Sequence, residues 1–256
     1  MTTSSLPFQL DRIVTIEAHA ATVFSFFTDS ARWARWWGAG SSVDPQLGGR
    51  VLIRHANGVE VTGEILELMP PTRVVFTYGY ASGKPIPLGG SRVTIQLEEI
   101  PEGTRLHLTH EFAEETPRDQ HVQGWRYQLA LFANIVSEVV HADAPGVVDA
   151  WFGAWNETDA DARLAVLGRV AADDLQFRDR YGLIRGVDEM AGHLAAVHKF
   201  MPGMTITRSG DVRQCQGRVL SDWVATGSDG APRGRGTTAF ALDADGKVRD
   251  VVGFWL

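Results

Sequence analysis

The chain has 256 residues, with 24 basic and 31 acidic side chains, a formal charge of −7 and a single cysteine. That length accommodates two ordinary domains, and the acidic balance, with no cluster of Lys or Arg, argues against a nucleic-acid partner held through its phosphates. One cysteine, Cys215, excludes an internal disulfide and a thiolate metal cluster; it is expected as a small buried residue in a reducing compartment. Residues 1–9 lack a basic segment followed by an apolar one, and no apolar run approaches the ~20 residues of a membrane span, so a cytoplasmic protein with no membrane contact is expected.

Residues 8–18 alternate as a strand does, and residues 22–37 switch to helical spacing with Val23, Phe26, Phe27 and Trp33 apolar. After the Leu47-Gly48-Gly49 turn, strands are predicted over 50–56, 59–68, 73–80, 91–99 and 104–112. Asn57-Gly58 is a two-residue hairpin signal in which both central positions take positive φ. Pro70-Pro71, residues 83–90 and Pro101-Glu102-Gly103 supply the other breaks, making the sheet a meander. Over 119–141 the residues Val122, Trp125, Leu129, Phe132, Val136 and Val139 fall three or four apart, one helix face that must be buried.

A long helix laid across one face of a curved antiparallel sheet is the helix-grip arrangement. Residues 8–142 resemble the START-like (SRPBCC) helix-grip superfamily in its heat-shock protein ATPase activator-like branch. The resemblance rests on "FTDSARWARWW" ending at Trp37, "LGGRV" at 47–51, "GEILELMPPTRVVFTY" at 63–78, "SRVTIQLEE" at 91–99, "GTRLHLTHEF" at 103–112 and "GWRYQLALF" at 124–132. It implies a fold with an internal cavity and does not transfer a function.

The two halves are expected as domains at 1–142 and 147–256, joined by a linker at 143–146. In the second, helices are predicted over 147–156, 161–170 and 187–200, a strand leading into a turn over 173–186, and strands near 204–209, 211–215, 219–226, 234–242 and 247–256, with Asp245-Gly246 as a hairpin turn. This half resembles the SnoaL-like polyketide cyclases and the wider nuclear-transport-factor-like cone fold, through "WNETDADARLAVL", the "GVDEM" helix start, "PGMTI" and "ALDADGKVRDVVGFW". The expected fold class is therefore α+β in both domains: an antiparallel helix-grip sheet with a long C-terminal helix, then a cone-shaped barrel with a curved sheet.

The second resemblance implies a general-base position at Asp179, where "FRDRYG" stands in place of the "EDPVG" of ketosteroid isomerase-like members. A carboxylate there could move a proton beside a carbonyl if apolar walls raised its proton affinity; an ion pair with Arg178 or Arg180 is the competing reading. The donors that such an isomerase uses are missing: Phe152 or Gly153 replaces its helix Tyr and Thr238 its second Asp, with Tyr181 as a substitute if it points inward. His193 and His198, five apart, do not share a face, which disfavours a metal pair, and His193 is a candidate general acid or a solvated spectator. His110 has the inward parity of Leu106, Leu108 and Phe112, while His107 does not.

Aromatic residues supply the candidate pocket walls. Trp33, Trp36 and Trp37 form either a lid over a cavity or packing against Trp125. Phe76 and Tyr78 share the inward face of one strand, and the expected ligand wall of the first half is Trp33, Trp37, Phe76, Tyr78, His110, Trp125 and Leu129. In the second half Trp155, Tyr181, Trp223 and Trp255 play that part. No nucleophile elbow, phosphate loop or dinucleotide fingerprint occurs, so no cofactor and no metal are expected. The expected function is binding of a small apolar or aromatic molecule in one or both cavities; the alternative is a cofactor-free cyclase, isomerase or dehydratase using Asp179, Thr238 and His193. A homodimer through the second half is also expected.

Overall fold

The computed structural model describes residues 6–256. The chain forms two compact units that divide between Val136 and Ser137. Both are α+β.

In the first unit, β1 (Phe8–Ile16) leads into α1 (Ala20–Ser25) and α2 (Ser30–Trp37), followed by β2 (Ser42–Val43), β3 (Arg50–Arg54), β4 (Glu60–Met69), β5 (Arg73–Tyr80), β6 (Ser91–Ile100), β7 (Gly103–Phe112) and the 26-residue α3 (Glu115–Val140). The seven strands form one sheet ordered β1-β7-β6-β5-β4-β3-β2, antiparallel throughout. The helical stretch expected over 22–37 is two helices, because Asp29 adopts an extended backbone and its side chain accepts from the Arg32 amide, starting a new helix after a turn. The Asn57-Gly58 hairpin forms with a wider connection: Val59 O pairs with the His55 amide, and Gly58 alone takes positive φ. Trp125, Leu129, Phe132 and Val136 make the buried face of α3, as their spacing requires.

The second unit begins in the last turn of α3. It holds α4 (Ala144–Asn156), α5 (Ala160–Val170), β8 (Ala171–Arg178), β9 (Leu183–Arg185), α6 (Gly186–Phe200), β10 (Thr205–Cys215), β11 (Arg218–Thr226), β12 (Pro232–Leu242) and β13 (Val248–Trp255). Residues 143–146, expected as a linker, are the start of α4: Asp143 precedes its first turn and Pro145 sits within it, where a missing amide hydrogen is harmless. The curved mixed sheet runs β10-β11-β12-β13-β8-β9, with β8 parallel to β13. Its inner face and the three helices enclose a core that includes Trp151, Phe152, Phe177, Trp223 and Phe240. The two short strands expected at 204–209 and 211–215 are one strand with a bulge at Gly210. Cys215 is exposed, a correction to the buried expectation; it ends β10 beside the Gln216-Gly217 turn, outside the packed face.

Gly236 is demanded by its neighbours. Trp223 lies across it from β11 in register, and a Cβ there would stand 2.4 Å from Trp223 Cζ2 and 2.1 Å from the Phe254 carbonyl oxygen. Neither the strand backbone nor the buried indole can retreat cheaply. Gly236→Ala should lower the unfolding free energy by about 2–3 kcal/mol, read by urea denaturation. Gly48→Ala, at a positive-φ turn with open space around it, should cost less than Gly236→Ala.

Candidate functional sites

Each unit contains an aromatic-walled cavity. In the first, α2 and the inner face of β5 bring Trp37, Tyr78 and Tyr80 opposite His121, Gly124, Trp125 and Gln128 of α3, with His55 closing one side, around a cavity of ≈ 290 Å³. Gly124 lies in mid-helix with nothing within 4 Å of where its Cβ would be. A glycine there costs the helix about 0.8–1 kcal/mol against alanine, and it leaves the cavity open on the helix side.

A directional hydrogen-bond chain stands behind this wall. The Trp125 indole N–H donates to His110 Nδ1 at 2.9 Å. The His110 proton therefore sits on Nε2 and is donated to Ser91 Oγ at 2.8 Å, and Ser91 in turn donates to the Tyr78 carbonyl at 2.7 Å. His110 is fully buried, and burial holds its imidazole well below the usual histidine range, with neighbouring His121 adding to the effect. His121 donates from Nδ1 to the Pro117 carbonyl at 2.7 Å, which leaves Nε2 to accept from the Tyr80 hydroxyl at 3.2 Å. Burial also lowers the proton affinity of His121 and of His55, while it raises that of the Tyr78 phenolate. Among the described residues, the lining of this cavity includes no Asp, Glu, Lys or Arg.

Of the wall residues expected in the first unit, Trp37, Tyr78 and Trp125 are on it. Trp33, Phe76, Leu129 and His110 are not; they are core. Trp33 packs edge-on against Trp36 and Phe76 and donates its indole N–H to the Leu52 carbonyl at 3.0 Å, so two of the three clustered tryptophans are packing and only Trp37 reaches the cavity. His107 is on the outer face, 3.1 Å from Asp11, as its parity requires.

In the second unit two adjoining spaces share a wall. A narrow inner space is lined by Trp151, Phe152, Phe177, Trp223 and Thr238; a larger chamber of ≈ 360 Å³ is lined by Tyr181, His193, Val197, Met201, Met204 and Arg233; Trp155, Asp179 and Trp255 line both. Asp179 follows β8, where its Oδ1 accepts from the Tyr181 and Gly182 amides at 2.7 Å each, and Oδ2 accepts from the Trp255 indole at 3.1 Å. The ion-pair reading of Asp179 is corrected: Arg178 pairs with Asp250 at 2.9 Å, and the Arg180 guanidinium stacks 5.2 Å from the Tyr181 ring centroid. His193 packs against Trp155 and Phe177, both 5.8 Å away, and this burial lowers its proton affinity while Asp179 opposes the effect. Tyr181 is 67% exposed and stands at the mouth, edge-on to Trp255 at 5.3 Å. Thr238 is buried on the inner space, so Asp179, His193 and Thr238 are brought together around adjoining volumes.

His55, Tyr80, His121, Gly124 and the Met201–Met204 rim were not among the expected site residues. Tyr80 shares parity with Tyr78, and His121 stands one helical turn before Trp125; both signals are in the sequence.

These features define two α+β domains, each with an internal pocket. Residues 17–137 match the family described as activator of Hsp90 ATPase homolog 1-like protein, and residues 148–251 match the SnoaL-like domain. The chain therefore joins a START-related helix-grip domain of the first family to a SnoaL-like domain, and both are consistent with ligand binding or with cyclase- or isomerase-like roles. Among solved structures, a SnoaL-like family protein from Agrobacterium tumefaciens is similar at 23% identity over 46% of this chain and 98% of that one, TM-score 0.43. The Aha1 dimer from Colwellia psychrerythraea is similar at 19% identity over 48% and 90%, TM-score 0.42, and an AHSA1-like protein from Rhizobium etli at 29% over 50% and 81%, TM-score 0.41. No curated protein matches the chain. Among the described residues no helix is long and apolar enough to cross a membrane, and no group of three or more His, Cys, Asp or Glu is placed to hold a metal ion.

The buried imidazoles set a pH dependence. A histidine whose folded proton affinity is depressed contributes stability that is complete above its unfolded pKa of about 6.5 and is lost as pH falls from there toward the folded value. Stability of the first unit should therefore decline on going from pH 7.5 to 5.5. His110→Phe should cost about 1–3 kcal/mol at pH 7.5, because Ser91 and Trp125 lose a partner, and should flatten that decline; urea titrations at the two pH values read both effects.

Proposed function

We propose that this protein binds small apolar or aromatic molecules in the cavities of its two domains. The observation that carries the reading is the pair of aromatic-walled spaces of ≈ 290 and ≈ 360 Å³, each with a few convergent polar groups and neither filled by side chains. In the first, Trp37 and Trp125 offer ring area beside the Tyr80 hydroxyl, whose proton goes to His121 while its oxygen keeps an acceptor position for a ligand. In the second, Trp155 and Trp255 offer ring area beside flexible Met201 and Met204, which adapt to ligand shape. An environment-sensitive apolar dye such as N-phenylnaphthylamine should bind saturably. Gly124→Phe fills the first cavity from an open position and Val197→Trp the second, and each should weaken binding in its own domain by about tenfold, or about 1.4 kcal/mol; a dye indifferent to both variants would refute the reading.

A second reading, cofactor-free cyclase, isomerase or dehydratase chemistry with Asp179 as base, draws support from the convergence of Asp179, Thr238 and His193 on adjoining spaces. A carboxylate offers about four acceptor positions and three are taken by N–H donors, which leaves one for a substrate proton. Under this reading Asp179→Asn abolishes turnover of any substrate that the chamber accepts, by at least about a hundredfold, and an unchanged rate removes Asp179 from the mechanism.

A further inference from the structure

Two full charges line the larger chamber of the second unit: Arg233, which is paired with Asp229, and Asp179, which has no ion-pair partner among the described residues. Every nearby arginine is engaged elsewhere: Arg178 with Asp250 at 2.9 Å, Arg233 with Asp229 at 2.7 Å, and Arg180 against the Tyr181 ring. The Asp179 charge is instead held by three N–H dipoles, from Tyr181, Gly182 and Trp255, which stabilise an anion without neutralising it. The wall histidine, His193, is packed against Trp155 and Phe177.

Aromatic rings surround that carboxylate. Trp255 meets Tyr181 at 82° and Trp223 at 79°, with centroids 5.3 and 4.8 Å apart, and Trp155 forms another wall of the chamber. Rings set at right angles expose both faces and edges, and the negative face of an indole or phenol attracts a cation, most strongly where water is thin. A carboxylate without an ionic partner beside such rings is complementary to a positively charged, weakly hydrated group. Neutral apolar ligands would leave the charge uncompensated, and anionic ones would be repelled by it.

We infer that this chamber selects small apolar or aromatic molecules that carry an ammonium group, the cation lying among the rings of Trp155, Tyr181 and Trp255 and pairing with Asp179. The inference rests on the reading of the chamber as a ligand site and adds the charge of what it takes. The remaining acceptor position of Oδ2 receives an N–H donor where the ammonium carries one, and a quaternary ammonium pairs by charge alone.

The test compares benzyltrimethylammonium with its neutral carbon isostere neopentylbenzene on the full chain, by tryptophan fluorescence titration at low ionic strength. The ammonium should bind about tenfold more tightly, and added salt should shrink the ratio. Asp179→Asn keeps an oxygen for the Tyr181 and Gly182 amides and should bring the ratio toward one. Tyr181→Leu, at an exposed position where folding is not at stake, should reduce it as well. Equal affinities in the unaltered protein, or a ratio that neither variant moves, overturn the cation preference and leave ligand binding standing. If neither probe binds while Val197→Trp still weakens the apolar dye, the cation preference again falls alone; if dye and probes all fail to bind, the ligand-site reading falls with it.

Discussion

A buried indole–imidazole hydrogen bond ties the long helix of the first domain to its sheet. Trp125 projects from α3 and donates to His110 of β7, which passes the polarity on to Ser91 of β6 and the Tyr78 carbonyl of β5. Trp125, His110 and Ser91 are buried, and their polar atoms find their partners within the protein rather than in water. A shift of α3 along the sheet would break the Trp125 bond and strand a desolvated imidazole, at a cost of a few kcal/mol. Apolar packing tolerates sliding far better than this. The helix is therefore held at one height, and the cavity beside Gly124 stays open rather than closing by collapse of α3 onto Trp37 and Tyr80.

The second domain keeps its space open differently. Its four wall tryptophans come from α4, which supplies Trp151 and Trp155, and from β11 and β13, and room for the strand pair is made by glycines: Gly236 beneath Trp223, Gly234 beside Trp255, and Gly253 beside Asp179, where a Cβ would meet the Asp179 Cβ at 3.2 Å. Removing side chains from Gly234 and Gly236 of β12 lets the rings of Trp255 and Trp223 approach the strand backbone closely, and Asp179 accepts from the Trp255 indole. Aromatic packing and the carboxylate are thus coupled. The group that orients the wall is also the charge that the chamber presents to a ligand.

Much of this was legible in the sequence, and the pattern of what was not is physical. Strand parity placed His110 inward and His107 outward, and the spacing of Trp125, Leu129 and Phe132 defined the buried face of α3, because both follow from local geometry. Parity cannot rank depth. Trp33, Phe76 and Leu129 face inward as the pattern demands, yet they lie beneath the first layer, and only tertiary packing decides which inward residue touches the cavity. The break between α1 and α2 was written in Asp29, an N-cap residue three before Arg32, but a run of apolar residues on both sides masked it. Residues 143–146 read as a linker on composition, although Pro145 in a first turn favours a helix start. For Asp179 the competing ion-pair reading rested on arginines that are neighbours only in sequence, whereas the donors that hold it are two backbone amides of the following turn and an indole from the last strand.

The two cavities differ in charge more than in shape, and that difference bears on why one chain carries both. The first is walled by rings, amides and imidazoles that burial keeps neutral, so it discriminates by hydrogen bonding and ring contact. A polar site whose protons are already placed within the protein rewards a ligand only for the bonds that remain to be made, and the Tyr80 proton already goes to His121. The second presents a carboxylate that its own arginines leave unpaired. Electrostatic attraction reaches further than a hydrogen bond and strengthens as water is displaced, so the second cavity discriminates among molecules of similar shape by their charge. Under the proposed reading, two domains of similar pocket volume sort ligands by different physics, and a ligand that suits one is penalised in the other: an ammonium group finds no counter-charge beside His55 and His121, and a neutral ring leaves Asp179 without one.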